Sequence, residues 1–168
     1  PTGAVWTRAE LEALADLVRR HPKLMVLSDE IYEYILFEGQ MLSFGSMKGM
    51  LERTITVNGF SKGFAMTGWR LGYAAAPEPV AKAMARMQSI ISAGANAFVQ
   101  RAAIVALQGP RDDVIMMRNV YRQRRDMVIA ALRTIPGIVI GDIPATFYAF
   151  PDVSALLGRK AGNRVMAT

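Results

Sequence analysis

With 168 residues, 52% of them hydrophobic and 20% charged, the chain is long enough to bury a core and is not of the composition that stays disordered. The lack of cysteine excludes a disulfide framework and thiolate metal sites, and no metal site is expected. A formal charge of +6 admits an acidic partner, but Arg118, Arg122 and Arg125 share one face of a helical stretch, which predicts a solvated surface and no nucleic-acid partner.

Taken in order, Pro1 to Trp6 has neither a basic region nor an apolar core followed by small residues, so no leader peptide is expected. Thr7 and Glu10 have the spacing of a capping box, and Leu11, Leu14, Ala15 and Val18 recur on one face of a helix predicted to end near His21. Leu24 to Leu27 predicts a buried parallel strand. A second strand is predicted over Thr54 to Val57, before Asn58-Gly59, and a third over Leu71 to Ala75.

Pro79 to Ile91 and Ala97 to Leu107 predict helices, broken at Ser92 to Asn96 and ended by Gly109-Pro110. Met87 to Gln100 is the longest uncharged run and is too short and polar for a membrane span, so a soluble, cytoplasmic protein without membrane contact is expected. Asp112 to Thr134 predicts one long helix, stopped by Pro136-Gly137. Met84, Met87, Met116 and Met127 fall at helix positions that predict core filler. Short strands are predicted at Ile138 to Ile140 and Phe147 to Phe150. The pattern changes from alternating strand and helix to a long helix and a strand pair, which places a domain change within that helix.

Ligands of an open parallel sheet bind beyond the carboxyl ends of its strands. Asp29 follows the first predicted strand and Lys62 the second. The link from Lys62 to the third strand is shorter than the roughly dozen residues that a parallel crossover needs, so that strand should run antiparallel and begin, near Arg70, at the same edge. An acid, an amine and a guanidinium therefore meet at one rim. Such a set suits an aldehyde cofactor with a phosphate and a basic ring nitrogen: the amine forms an imine, the acid favours the protonated ring, and the planar fork grips phosphate.

Ser28-Asp29-Glu30-Ile31-Tyr32-Glu33 and Asn58-Gly59-Phe60-Ser61-Lys62-Gly63-Phe64-Ala65-Met66-Thr67-Gly68-Trp69-Arg70-Leu71-Gly72-Tyr73 resemble the two cofactor segments of the class I and II aminotransferases. Pro1-Thr2-Gly3 and Phe147 to Asp152 are similar to further parts of that family, so the resemblance covers nearly the whole chain. It implies an α/β fold of type I, with part of a three-layer α/β/α large domain around a mostly parallel sheet over residues 1–120 and the start of a small α+β domain over 121–168. Pyridoxal 5'-phosphate is the implied cofactor. Lys62 would carry it, Asp29 would pair with its pyridine nitrogen, Tyr32 would bond its phenolic oxygen, and Ser61 and Arg70 would hold its phosphate. Many relatives have serine where this chain has Gly59. The family's phosphate turn, ring-stacking residue and substrate-carboxylate arginine are implied to lie outside these residues.

The implied activity is transfer of an amino group between an amino acid, of the aspartate type given Ala65 to Arg70, and a 2-oxo acid. A homodimer is implied as well, in which Ser92 to Asn96 approaches the neighbouring subunit and makes Asn96 a candidate contact. Two alternatives share these motifs: a lyase using the same cofactor, and the sensor domain of a transcriptional regulator.

Overall fold

The computed structural model describes residues 2–161 and 164–166. The chain divides into two compact units, one of Trp6–Tyr34 and Gln40–Ile115, the other of Pro1–Val5, Ile35–Gly39 and Met116–Thr168.

In the first unit the predicted amphipathic helix forms as α1 (Arg8–Arg20). Its capping box closes in both directions: Glu10 N donates to the Thr7 hydroxyl at 3.3 Å and Thr7 N to the Glu10 carboxylate at 2.7 Å. Leu11, Ala15 and Val18 pack on Phe44, Met47 and Met50, with Leu14, Val26 and Leu42 around them. Two short 3-10 helices, Phe44–Ser46 and Leu51–Arg53, have no periodic signature in the sequence. Arg53 closes the far end of α1, where its guanidinium donates to the carbonyls of Val18 at 3.3 Å, His21 at 2.7 Å and Leu24. His21 itself caps the helix, its N–H donating to Val18 O at 3.1 Å.

β1 (Val26–Asp29), β2 (Thr54–Gly59) and β3 (Gly72–Ala75) form a sheet in that order. β1 begins two residues later than predicted because Leu24 belongs to the turn leaving α1, its N–H donating to His21 O at 2.9 Å. β1 runs parallel to β2, with Val26 opposite Thr54 and Asp29 opposite Val57. β3 is antiparallel to β2, with Asn58 opposite Tyr73 and Gly59 opposite Gly72, the direction that the short connection requires. β1 is not the fully buried strand expected. Val26 packs on the α1 cluster while Leu27, on the opposite face, is 67% exposed.

α2 (Glu78–Ser92) and α3 (Ala97–Gln108) lie within a residue of their predicted bounds. The four helix methionines are not core filler, unlike Met47 and Met50: Met84, Met87, Met116 and Met127 are 37%, 61%, 60% and 71% exposed, and α2 buries no residue. Helical periodicity marks an apolar face but carries no information on what covers it.

α4 (Asp112–Arg133) forms as the long helix expected, and from Met116 onward it belongs to the second unit. Ile129, Ile140 and Ile143 make that unit's core with Leu132 beside them. The strand pair predicted at 138–140 and 147–150 does not form. Val139 bridges Asp152 and Leu36 bridges Ala145 as isolated pairs; beside the second, Pro144 accepts from Phe37 N but has no N–H to return, and Thr146 is left-handed at φ 68°. A hairpin that the sequence did not indicate, β4 (Lys160–Ala161) with β5 (Arg164–Val165), follows. Of the arginine face, Arg122 is exposed as expected, but Arg125 is not. The Arg125 side chain is only 10% exposed, paired with Glu38 at 2.8 Å and Asp126 at 2.7 Å and donating to Ile143 O at 2.9 Å. A planar guanidinium with several directed partners tolerates such burial better than an ammonium.

Among the described residues no helix is long and apolar enough to cross a membrane, and no cluster of His, Cys, Asp and Glu could hold a metal. Leu51, Ile90, Ile91, Phe98 and Val105 are, like Leu27, at least two-thirds exposed. Residues 1–168 alone should therefore bind a hydrophobic dye and self-associate at micromolar concentration. Sedimentation velocity with dye fluorescence measures this, and a dye-silent, cooperatively melting monomer is the contrary result.

Candidate active site

The sheet gathers the predicted residues at one end. Asp29 is the last residue of β1, and the chain turns away directly after it: Glu30 N donates to Val57 O at 2.8 Å and Ile31 N to the Asp29 carboxylate at 3.3 Å. That turn leads to Tyr32. β2 ends at Gly59, Lys62 lies three residues further, and its Nζ is 6.0 Å from the centroid of the Tyr32 ring.

The return to β3 is a compact, strained loop. Ala65 N donates to Lys62 O at 3.3 Å, Met66 N to Phe60 O at 3.2 Å, Trp69 N to Met66 O at 3.2 Å, and Phe60 N to Leu71 O at 3.2 Å. Ala65 and Arg70 are left-handed, with φ 53° and 55°, at about 1–2 kcal/mol each for residues with a Cβ. Arg70 Nη1 donates to Thr67 O at 3.1 Å, and two residues later β3 starts with Gly72 against Gly59. A Cβ on Gly72 would stand 3.0 Å from Asn58 O, so a larger residue would push the strands apart by a few tenths of an ångström here. Ser61 and Lys62 are half-buried, Asp29 and Arg70 exposed. Lys62 Nζ and the Tyr32 ring lie near each other, 6.0 Å from nitrogen to centroid.

Several supporting residues escaped the sequence reading. Glu30 is buried and accepts from Ser28 Oγ at 3.0 Å, Ser43 Oγ at 2.8 Å and Phe44 N at 3.3 Å, pinning the loop after residue 40 to the end of β1. An acid next to Asp29 reads as a second solvated charge until its three donors are known. Aromatic rings line the base of the Lys62 loop: Tyr73 with Phe60 at 5.9 Å, Phe60 with Phe64 at 5.4 Å, and Phe64 with Tyr34 at 5.2 Å. Burial, then the charge of Glu33, pushes the hydroxyls of both Tyr34 and Tyr73 above the usual phenol range. Asn96 has a local task, its side chain accepting from Phe98 N at 3.1 Å as the N-cap of α3.

A parallel strand ending in an acid, a second ending before a lysine, and an antiparallel return through an arginine are the arrangement expected of the class I and II aminotransferases. The chain belongs to that family, whose model matches residues 1–167. It is 46% identical over 162 residues to an aspartate aminotransferase of Pinus pinaster, covering 94% of this chain and 33% of that protein. The aspartate aminotransferase structure from Rhizobium meliloti superposes with a TM-score of 0.92 at 36% identity, over 99% of this chain and 42% of that one. An aromatic aminotransferase structure from Pyrococcus horikoshii gives 0.83 at 44% identity, over 90% and 41%. The type I α/β fold is thus shared, and the chain spans between a third and about two-fifths of the length of these relatives.

The glycine after the lysine generates a test. A Cβ on Gly63 would lie 2.4 Å from Tyr34 Cδ2 and 3.0 Å from its Cβ, so Gly63→Ala must displace the Tyr34 ring from the Lys62 loop. The variant of the full-length protein should lose about 1–3 kcal/mol in urea unfolding, and adding Tyr34→Ala should return part of that loss. Equal, additive losses would mean that the two sites do not touch.

Proposed function

We propose that this chain is the lysine-bearing portion of a pyridoxal-phosphate-dependent aminotransferase, which works as a homodimer and moves an amino group between an amino acid and a 2-oxo acid. Lys62 carries the proposal, through the proximity of its Nζ to the Tyr32 ring at the carboxyl end of β1 and β2. The donors fit the cofactor. A primary amine suits its aldehyde, a carboxylate its basic nitrogen, a phenol its ring oxygen, and a hydroxyl with a guanidinium its phosphate.

When bound, the cofactor supplies a protonated ring that draws electrons from the substrate Cα. The chain's residues supply the rest. Asp29, at the end of β1, places a negative charge that favours a proton on the ring nitrogen. Tyr32 orients the ring through its oxygen, and Ser61 and Arg70 bind phosphate. Lys62 Nζ takes the proton that leaves Cα, a task suited to a half-buried amine on a loop whose backbone is fixed by its own hydrogen bonds. Two of the relatives are named for aspartate and one for aromatic amino acids. We take the aspartate type as the substrate class, in keeping with Ala65 to Arg70.

In the full-length protein, Lys62→Ala should keep the fold and some cofactor affinity while turnover falls by ~100-fold to 10,000-fold, the usual cost of losing general acid–base catalysis. Asp29→Ala should weaken cofactor binding as well, since the ring loses its counter-charge. Visible spectra with added cofactor, followed by an amino-transfer assay, measure both. Near-normal transfer and an unchanged pH-dependent visible band in Lys62→Ala would remove the assignment.

A further inference from the structure

The link between α3 and α4 contains Gly109, Pro110 and Arg111, and the half-buried Arg111 does two things at once. Its Nη1 donates to Ala106 O and its Nη2 to Leu107 O, each at 3.0 Å, which anchors the guanidinium on the last turn of α3. The guanidinium carbon then lies 5.4 Å from the Tyr34 ring centroid and 5.2 Å from that of Phe64. These two rings meet edge-on, 5.2 Å apart at 68°. Tyr34 is two residues after Tyr32, and Phe64 two residues after Lys62.

We propose that Arg111 is a positioning residue: anchored on α3, it clamps the Lys62 loop to the segment that carries Asp29 and Tyr32. A guanidinium suits this better than an ammonium, because its planar fork can spend N–H groups on two carbonyls while its delocalised charge rests against aromatic rings. Gly63 is part of the same device, since its lack of a side chain admits the Tyr34 ring to the loop. The left-handed Ala65, one residue beyond Phe64, is a backbone choice that such a clamp would hold in place. What the clamp does for catalysis rests on the function proposed above for Lys62. The clamp itself does not.

The test uses the full-length protein with Arg111→Ala, Arg111→Lys and Phe64→Leu. In the cofactor-free state, backbone hydrogen exchange over residues 60–70 should become about tenfold faster in Arg111→Ala and in Phe64→Leu, with α1 unchanged. The end of α3 should exchange faster in Arg111→Ala but not in Phe64→Leu. Arg111→Lys keeps the charge without the fork and should not restore the loop. With cofactor and substrate, kcat should fall by about tenfold in Phe64→Leu while KM for the amino acid stays nearly constant. Unchanged loop exchange in both Phe64→Leu and Arg111→Ala, with fraying confined to α3, would reduce Arg111 to a helix cap and overturn the proposal. If the loop responds as expected but wild-type protein gives no visible band with pyridoxal phosphate, the clamp is supported and the cofactor assignment of Lys62 is what fails.

Discussion

Gly59 and Gly72 face each other where β2 and β3 meet, and their lack of side chains favours the close backbone approach at this end of the antiparallel pair. In this register, Arg70 emerges at the end of the sheet from which Lys62 and Asp29 also leave. The loop between has little freedom. It must reverse direction within a dozen residues, and it does so through two left-handed non-glycine positions and four backbone hydrogen bonds. A reversed strand thus does what a longer crossover helix could not, returning the phosphate candidate to the lysine over a short distance.

The parts legible in the sequence are those governed by local rules. Thr7 and Glu10 announce α1 because a capping box is a contact between near neighbours, and the direction of β3 follows from chain length alone. The positions of Asp29, Tyr32, Lys62 and Arg70 were likewise readable from strand ends and motif wording. Burial was not legible. Leu27 and the helix methionines look like core residues, yet whether an apolar face is covered depends on partners that its own sequence does not specify. Arg125 and Glu30 erred the other way, as charges that read as solvated and are buried because remote groups satisfy them. In the 138–150 region short apolar runs suggest a ladder, but only single bridges form, with Pro144 unable to donate beside one of them.

Family membership and the aminotransferase names of the relatives bear on the chemistry at the sheet edge more than on substrate choice. The lysine loop is built from backbone hydrogen bonds, a close-packed glycine and tilted or edge-on aromatic rings. The same scaffold is found in structures named for aspartate and for aromatic amino acids. Discrimination between such substrates requires groups that touch what differs between them.

The end of α1 has a consequence for how the molecule is assembled. Its last carbonyls are satisfied by Arg53, which lies 29 to 35 residues further along the chain than the groups it binds. The first turn of α1 is completed by its own Thr7 and Glu10 and the last by the N–H of His21, whereas the added closure of that end needs the residue that immediately precedes β2. Closing a loop of that length costs entropy before any contact repays it. The arginine thus ties the far end of a locally capped helix to the start of the central strand of the sheet, so that whatever loosens one loosens the other.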